Sequence, residues 1–274
     1  MISGFTPEAR FREILGDIIM QEQFTFLNAK GEKLAGRLEL PEIPTKQAAI
    51  FAHCFTCGKD ILGAPKISRE LAKSGLAVLR FDFTGLGASQ GNFAETHFSS
   101  NVDDLVRAAR ALSENGYTTH LLVGHSLGGA AVLAAAEQIP EAKGIVTIGA
   151  PVDPQHVEHL FGDNLPKIEE GEAELDLAGR PITIRKEFLE DIRSQSLEEK
   201  IHNLGRALLV FHSPVDNTVG IENAAQIYRA ARHPKSFVSL DHADHLITEK
   251  SDAIYIAQVL SAWATRYLNI KPNS

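Results

Sequence analysis

The chain has 274 residues, with 44% hydrophobic and 23% charged residues, which is ordinary for a globular protein long enough to bury its own core. The net charge of -8, the pI near 5.8 and the lack of a Lys/Arg run argue against a nucleic-acid partner. Two cysteines, Cys54 and Cys57, make no disulfide framework. The first 20 residues lack the basic start and apolar run of a secretory signal, and no stretch approaches the roughly 20 apolar residues of a membrane helix. The expectation is a cytoplasmic protein with no membrane association.

In chain order, a short helix is expected around Phe11–Met20. QEQFTFLNAKG and KLAGRLELP alternate and read as two strands joined near Gly31, with Pro41 and Pro44 ending the second. QAAIFAHC suits a strand buried on both faces. ILGAPKISRELAKSG reads as a helix stopped by Gly75, LAVLRFDF as a buried strand and TGLGASQGNF as a Gly-rich loop. Val102, Leu105, Val106, Ala109 and Leu112 recur at helical spacing in SSNVDDLVRAARALSENG. THLLVGH is a strand and SLGGAAVLAAAEQIP a helix ended by Pro140. The strands KGIVTIGAP, RALLVFHS and KSFVSL follow, then a helix with Tyr255, Ile256, Val259, Leu260, Trp263 and Tyr267. Strands alternating with helices imply a mostly parallel sheet with helices on both faces, in a single domain over 1–274.

Residues 153–203 interrupt the rhythm. EGEAELDLAGRPITIRKEF reads as a polar hairpin turning at AGR, and SLEEKIHNL as a short helix. The segment is expected to be a cap inserted between core strands.

Gly124-His125-Ser126-Leu127-Gly128-Gly129 fits G-x-S-x-G between a strand and an Ala-rich helix. Such a turn exposes the serine hydroxyl at the end of the sheet, above a helix N-terminus that favours developing negative charge. Ser126 is the expected nucleophile, and a serine needs a base. In proteins built around this turn the chain order is Ser, acid, His. Asp216 follows the strand RALLVFHS; His242 and His245 follow KSFVSL. His245 is preferred because it lies further past its strand, where the chain can turn back over Ser126. Asp153 is a rival acid, while Asp241 and Asp244 lie too near the histidine in sequence. Asp216 would orient the imidazole. Oxyanion donors are expected from the backbone N–H of Leu127 and of Phe55, in the loop after His53.

These residues resemble the α/β-hydrolases from about Gln23 to Leu268. More narrowly, FAHCFTCGKDI, LAVLRFDFTGLGASQGNF, FSSNVDDLVRAARAL, LLVGHSLGGAAVLAAA and EAELDLAGRPITIRKEFLEDI are similar to the hydrolase domain fused to OsmC-type domains in bacteria. The resemblance implies the α/β-hydrolase fold, esterase-like hydrolysis of a small-molecule ester, no cofactor or metal, and the same roles for Ser126, Asp216 and His245. The chain stops after the hydrolase part, so a stand-alone enzyme or a separately encoded OsmC-type partner is expected. It carries His53-Cys54 where many α/β-hydrolases have His-Gly.

Other signals have plainer readings. Cys54-x-x-Cys57 is compatible with redox chemistry, a zinc site lacking a clear fourth ligand, or ordinary packing beside the pocket. Gly85-Leu86-Gly87 with Gly91 has the wrong spacing for a dinucleotide loop. Asp82 is expected to tie loops together, and His97, His125 and His212 to be structural or pocket-lining. Phe161 and Phe188 are candidate pocket residues that core packing explains equally well. Two rival functions remain: a peptidase anchoring a peptide terminus on Glu169, Glu170 or Glu172, or a binding protein on the same fold.

Overall fold

A computed structural model describes residues 19–61, 63–177 and 179–268. The expected helix around Phe11–Met20 lies outside the described residues except at its end, where Met20 opens a strand instead. β1 (Met20–Leu27) and β2 (Lys33–Leu40) form an antiparallel pair around Gly31, which has φ 78°. Then come β3 (Gln47–Ala52), α1 (Gly63–Lys73), β4 (Ala77–Phe81), α2 (Phe98–Glu114), β5 (Thr118–His125), α3 (Leu127–Ala135) and β6 (Gly144–Ile148). β9 (Ala207–His212), α7 (Glu222–Ala230), β10 (Lys235–Ser239) and α8 (Lys250–Leu268) complete the main body.

The eight strands lie in the order β1-β2-β4-β3-β5-β6-β9-β10, parallel from β4 to β10. The inner strands are buried along nearly their whole length, which is why they read as apolar runs rather than alternations. One core lies between the sheet and α2, α3 and α7; α1 and α8 cover the other face, with Ile67, Leu71, Ile256 and Leu260 fully buried. α7 escapes the sequence pattern because only Ala224 and Ile227 of its nine residues are buried, too few to mark a stripe.

Residues 153–203 contain more helix than their sequence suggests. A 3-10 segment (Pro154–Leu160) leads to α4 (Leu165–Glu170), the hairpin β7 (Glu172–Leu177) and β8 (Arg180–Arg185), α5 (Lys186–Ser194) and α6 (Glu198–His202). The expected hairpin ended in KEF, but Lys186 begins α5, which turns Phe188, Leu189 and Ile192 inward. These residues join Phe161, Ile168, Leu175 and Ile184 in the same core as α2 and α3, so the segment shares the body's core.

Asp104 of α2 anchors the loop after β4. Its Oδ2 accepts from the Thr84 N–H at 3.0 Å and the Thr84 hydroxyl at 2.8 Å. Burial raises its carboxyl from 3.8 to about 6, despite those two bonds. From pH 3.8 to 6 the unfolded chain has released this proton while the folded chain keeps it, so stability is lost as pH rises through that window. Asp104→Asn should therefore gain on the wild type by about 2 kcal/mol in unfolding free energy between pH 4 and pH 7. Denaturant melts at both pH values check this; a constant difference between the two proteins would refute it.

Candidate active site

The turn after β5 carries the sequence's main candidate. Ser126 has φ 54° and ψ -126°, a conformation a non-glycine residue holds at a cost of about 1–3 kcal/mol. Its N–H donates to the Ile148 carbonyl at 2.9 Å and its carbonyl accepts from the Gly129 N–H at 2.8 Å. Glycine is required around it: a Cβ on Gly124 would overlap the Gly128 carbonyl, and one on Gly128 would overlap the Ala52 and His53 carbonyls. The N-terminus of α3 therefore presses against the end of β3.

Parallel register brings the partners to the same edge, since His125 lies beside Ile148, Ile148 beside Phe211, and His212 beside Ser239. His245 Nε2 is 3.0 Å from Ser126 Oγ, and His245 Nδ1 is 2.7 Å from Asp216 Oδ2. Asp216 Oδ1 accepts from the N–H groups of Thr218 at 2.8 Å and Val219 at 2.9 Å. Burial alone would raise this carboxyl; the hydrogen bonds from His245 and Val219 outweigh it and hold Asp216 below its ordinary value. The carboxylate therefore stays charged opposite His245. His242 is exposed, and Asp153 instead accepts the Leu197 N–H at 2.7 Å. Asp241 pairs with Ser239, and Asp244 with Thr248.

Two buried histidines hold these loops through backbone carbonyls. His125 Nε2 lies 2.6 Å from the His245 carbonyl oxygen, and His212 Nε2 lies 2.7 Å from that of Val219. Burial, then repulsion from His245, pushes the His125 imidazole down to about 4, so it is a neutral ring donating from Nε2. The sequence singled out both, with His97, as structural or pocket-lining, but not the carbonyls they bind. Their signal is position, each being the last residue of a central strand.

The loop after β3 reaches Phe55 through His53 and Cys54. His53 Nδ1 donates to the Cys54 carbonyl at 2.8 Å, and burial pushes the imidazole below its ordinary value. Leu127 opens α3, so its N–H is one of those a helix leaves without an internal acceptor. No hydrogen-bond acceptor takes the Phe55 N–H among the described residues. Further on, the Lys59 N–H donates to Asp82 Oδ1 at 2.6 Å, the Ala88 N–H to Asp82 Oδ2 at 3.0 Å, and Arg80 Nη1 to the Lys59 carbonyl at 2.6 Å. Arg80 is itself buried against Glu39 at 2.7 Å. The Phe55 ring meets Phe188 at 5.4 Å, Phe93 at 5.9 Å and Phe161 at 6.5 Å. Phe161 and Phe188 are 1% and 2% exposed, so they pack the cap onto this loop rather than line open space.

Cys54 and Cys57 form a disulfide; of the sequence-based readings of the pair, only redox chemistry involves such a bond. Among the described residues, no group of three or more His, Cys, Asp or Glu is placed to hold a metal ion. No helix among them is long and apolar enough to cross a membrane.

The sheet order, the turn after β5 and the loops after β9 and β10 define a hydrolase of the α/β fold. A family model described as serine aminopeptidase, S33, matches residues 57–174. A solved esterase domain from a Rhodothermus marinus protein is 50% identical, with 91% of this chain and 100% of that one covered and a TM-score of 0.75. The mitochondrial palmitoyl-protein thioesterase ABHD10 of Rattus norvegicus is 29% identical, covering 79% of this chain and 76% of its own. The mouse α/β-hydrolase domain-containing protein 10 has the same fold, at 21% identity over 89% and 99% of the two chains and a TM-score of 0.73. The chain belongs to the α/β-hydrolase family.

Removing the His125 side chain leaves the His245 carbonyl without its buried donor. His125→Ala should cost about 1–3 kcal/mol of stability and lower kcat for an activated ester about tenfold through a looser His245 loop. His125→Gln, which keeps a donor, should recover part of both. Equal kcat in wild type and His125→Ala would rule out the tether.

Proposed function

We propose that the protein is a serine hydrolase, carboxylesterase-like, that cleaves ester or related acyl bonds of small molecules through an acyl-enzyme on Ser126. The observation that carries this is the continuous chain from Ser126 Oγ through both ring nitrogens of His245 to Asp216, at 3.0 and 2.7 Å. His245 takes the hydroxyl proton as Ser126 attacks the carbonyl carbon. Asp216, kept charged by its hydrogen bonds, stabilises the imidazolium. The N–H groups of Leu127 and Phe55 receive the developing oxyanion. His245 then protonates the leaving alkoxide, and water deacylates Ser126 by the same route in reverse.

Ester cleavage is favoured over peptide-terminus recognition by the state of the cap's acidic residues. Glu169 pairs with Arg193 at 2.9 Å and Glu172 with Arg185 at 3.0 Å, all on the exposed surface. Two of the three candidate anchors are therefore already paired with arginines of the same segment.

Turnover of p-nitrophenyl acetate and butyrate should fall at least about 10⁴-fold in Ser126→Ala, and about 10³- to 10⁴-fold in kcat for Asp216→Asn. A fluorophosphonate should label Ser126 and nothing else. Absence of both turnover and labelling in the wild type would end the hydrolase reading of this site.

A further inference from the structure

The disulfide encloses only two residues, Phe55 and Thr56. The first is the proposed oxyanion donor. The second has φ 57°, a conformation rare for a β-branched residue and held only where the surroundings impose it. The Cys57 N–H donates to the Cys54 carbonyl at 3.2 Å, so the four residues make one tight turn. A cross-link over so short a loop restricts an unfolded chain far less than one closing a long loop. What it does restrict is this turn.

Both flanks of the turn are fixed independently. His53 binds the Cys54 carbonyl on one side, while Asp82 and Arg80 grip the Lys59 backbone on the other. Between those grips the disulfide is the covalent restraint on where the Phe55 N–H points. Cys54 is buried and borders the cavity shared with Leu127 and Gly128; Cys57 is half-buried, the more exposed residue of the pair.

The geometry points to Cys54–Cys57 as a thiol–disulfide exchange site that sets the Phe55 N–H, so that the disulfide form is the active hydrolase and the dithiol form is impaired. This rests on the serine-hydrolase reading of Ser126. The reductant is a dithiol. One of its thiolates attacks Cys57 Sγ, the Cys54–Cys57 bond breaks, and Cys54 leaves as a thiolate that takes a proton from water. The reductant's second thiolate attacks its own sulfur in the mixed disulfide and releases Cys57, likewise protonated. Two electrons pass to the pair, and the reductant becomes a cyclic disulfide. A small-molecule disulfide reverses the change and is itself reduced to two thiols.

With the bond open, Thr56 relaxes to negative φ and carries the adjoining Phe55 peptide with it. The oxyanion donor is lost while the relay of Ser126, His245 and Asp216 stays in place. The loss falls on the transition state, hence on kcat more than on KM.

The test equilibrates the wild-type protein in a series of oxidised and reduced dithiothreitol mixtures. Cys54 and Cys57 are quantified by alkylation and mass, and p-nitrophenyl acetate kinetics are measured on the same samples. kcat is expected to fall about a hundred- to a thousandfold in step with the dithiol fraction, with KM nearly unchanged, and to return on reoxidation. Cys54→Ser/Cys57→Ser should sit at the reduced level and ignore the redox buffer. Full reduction with unchanged kcat, or a pair that stays oxidised throughout, overturns the proposal while the hydrolase reading stands. No turnover and no fluorophosphonate labelling of Ser126 in either state overturns both.

Discussion

Ser126 sits in a left-handed backbone conformation between β5 and α3, and the geometry of the site depends on that turn being held. The cost is met by neighbours on three sides. Ile148 of β6 accepts the serine N–H, α3 caps the serine carbonyl through Gly129, and the end of β3 lies against Gly128. The contacts with Ile148 and with the end of β3 need the sheet order β3-β5-β6, so the turn is in part a product of the assembled sheet. The helix N-terminus and the end of β3 then meet within a few ångströms. Leu127 and Phe55 border one small cavity there.

The other loops are held by a common device: a rigid central strand lends a buried polar side chain to a loop carbonyl or N–H. His125 at the end of β5 holds the His245 loop, and His212 at the end of β9 holds the Asp216 loop. Arg80 of β4 and Asp82 just beyond it hold the loop after β3. Buried polar groups are expensive unless satisfied, so each pairing resists loop motion. The aromatic contacts of Phe55 with Phe161 and Phe188 join the same loop to residues 153–203.

Much of the fold was legible in the sequence because buried parallel strands are short apolar runs and the larger helices carry clear stripes, as in α2. Ser126 was legible because its strained turn demands glycines at fixed offsets, and those offsets are a linear signal. Asp216 and His245 were legible as residues just past strand ends in the right chain order. α5 was hidden because KEFLEDIRS directly continues a strand, and its inward face becomes apparent only against α2. The partners of His125 and His212 were hidden because they are backbone carbonyls, which have no letter in a sequence.

By itself the sequence determined the strand and helix order, the place of the serine turn and the residues available to serve it. Those follow from local chemistry: hydrophobic period, glycine spacing and position relative to a strand's end. Tertiary structure decided between Asp216 and Asp153 as the partner of His245, and between packing and open pocket for Phe161 and Phe188. It also joined Cys54 to Cys57 around the Phe55 turn. These choices turn on distances of a few ångströms between atoms far apart in the chain or set by a turn's exact path, and only the packed sheet with its loops fixes such distances.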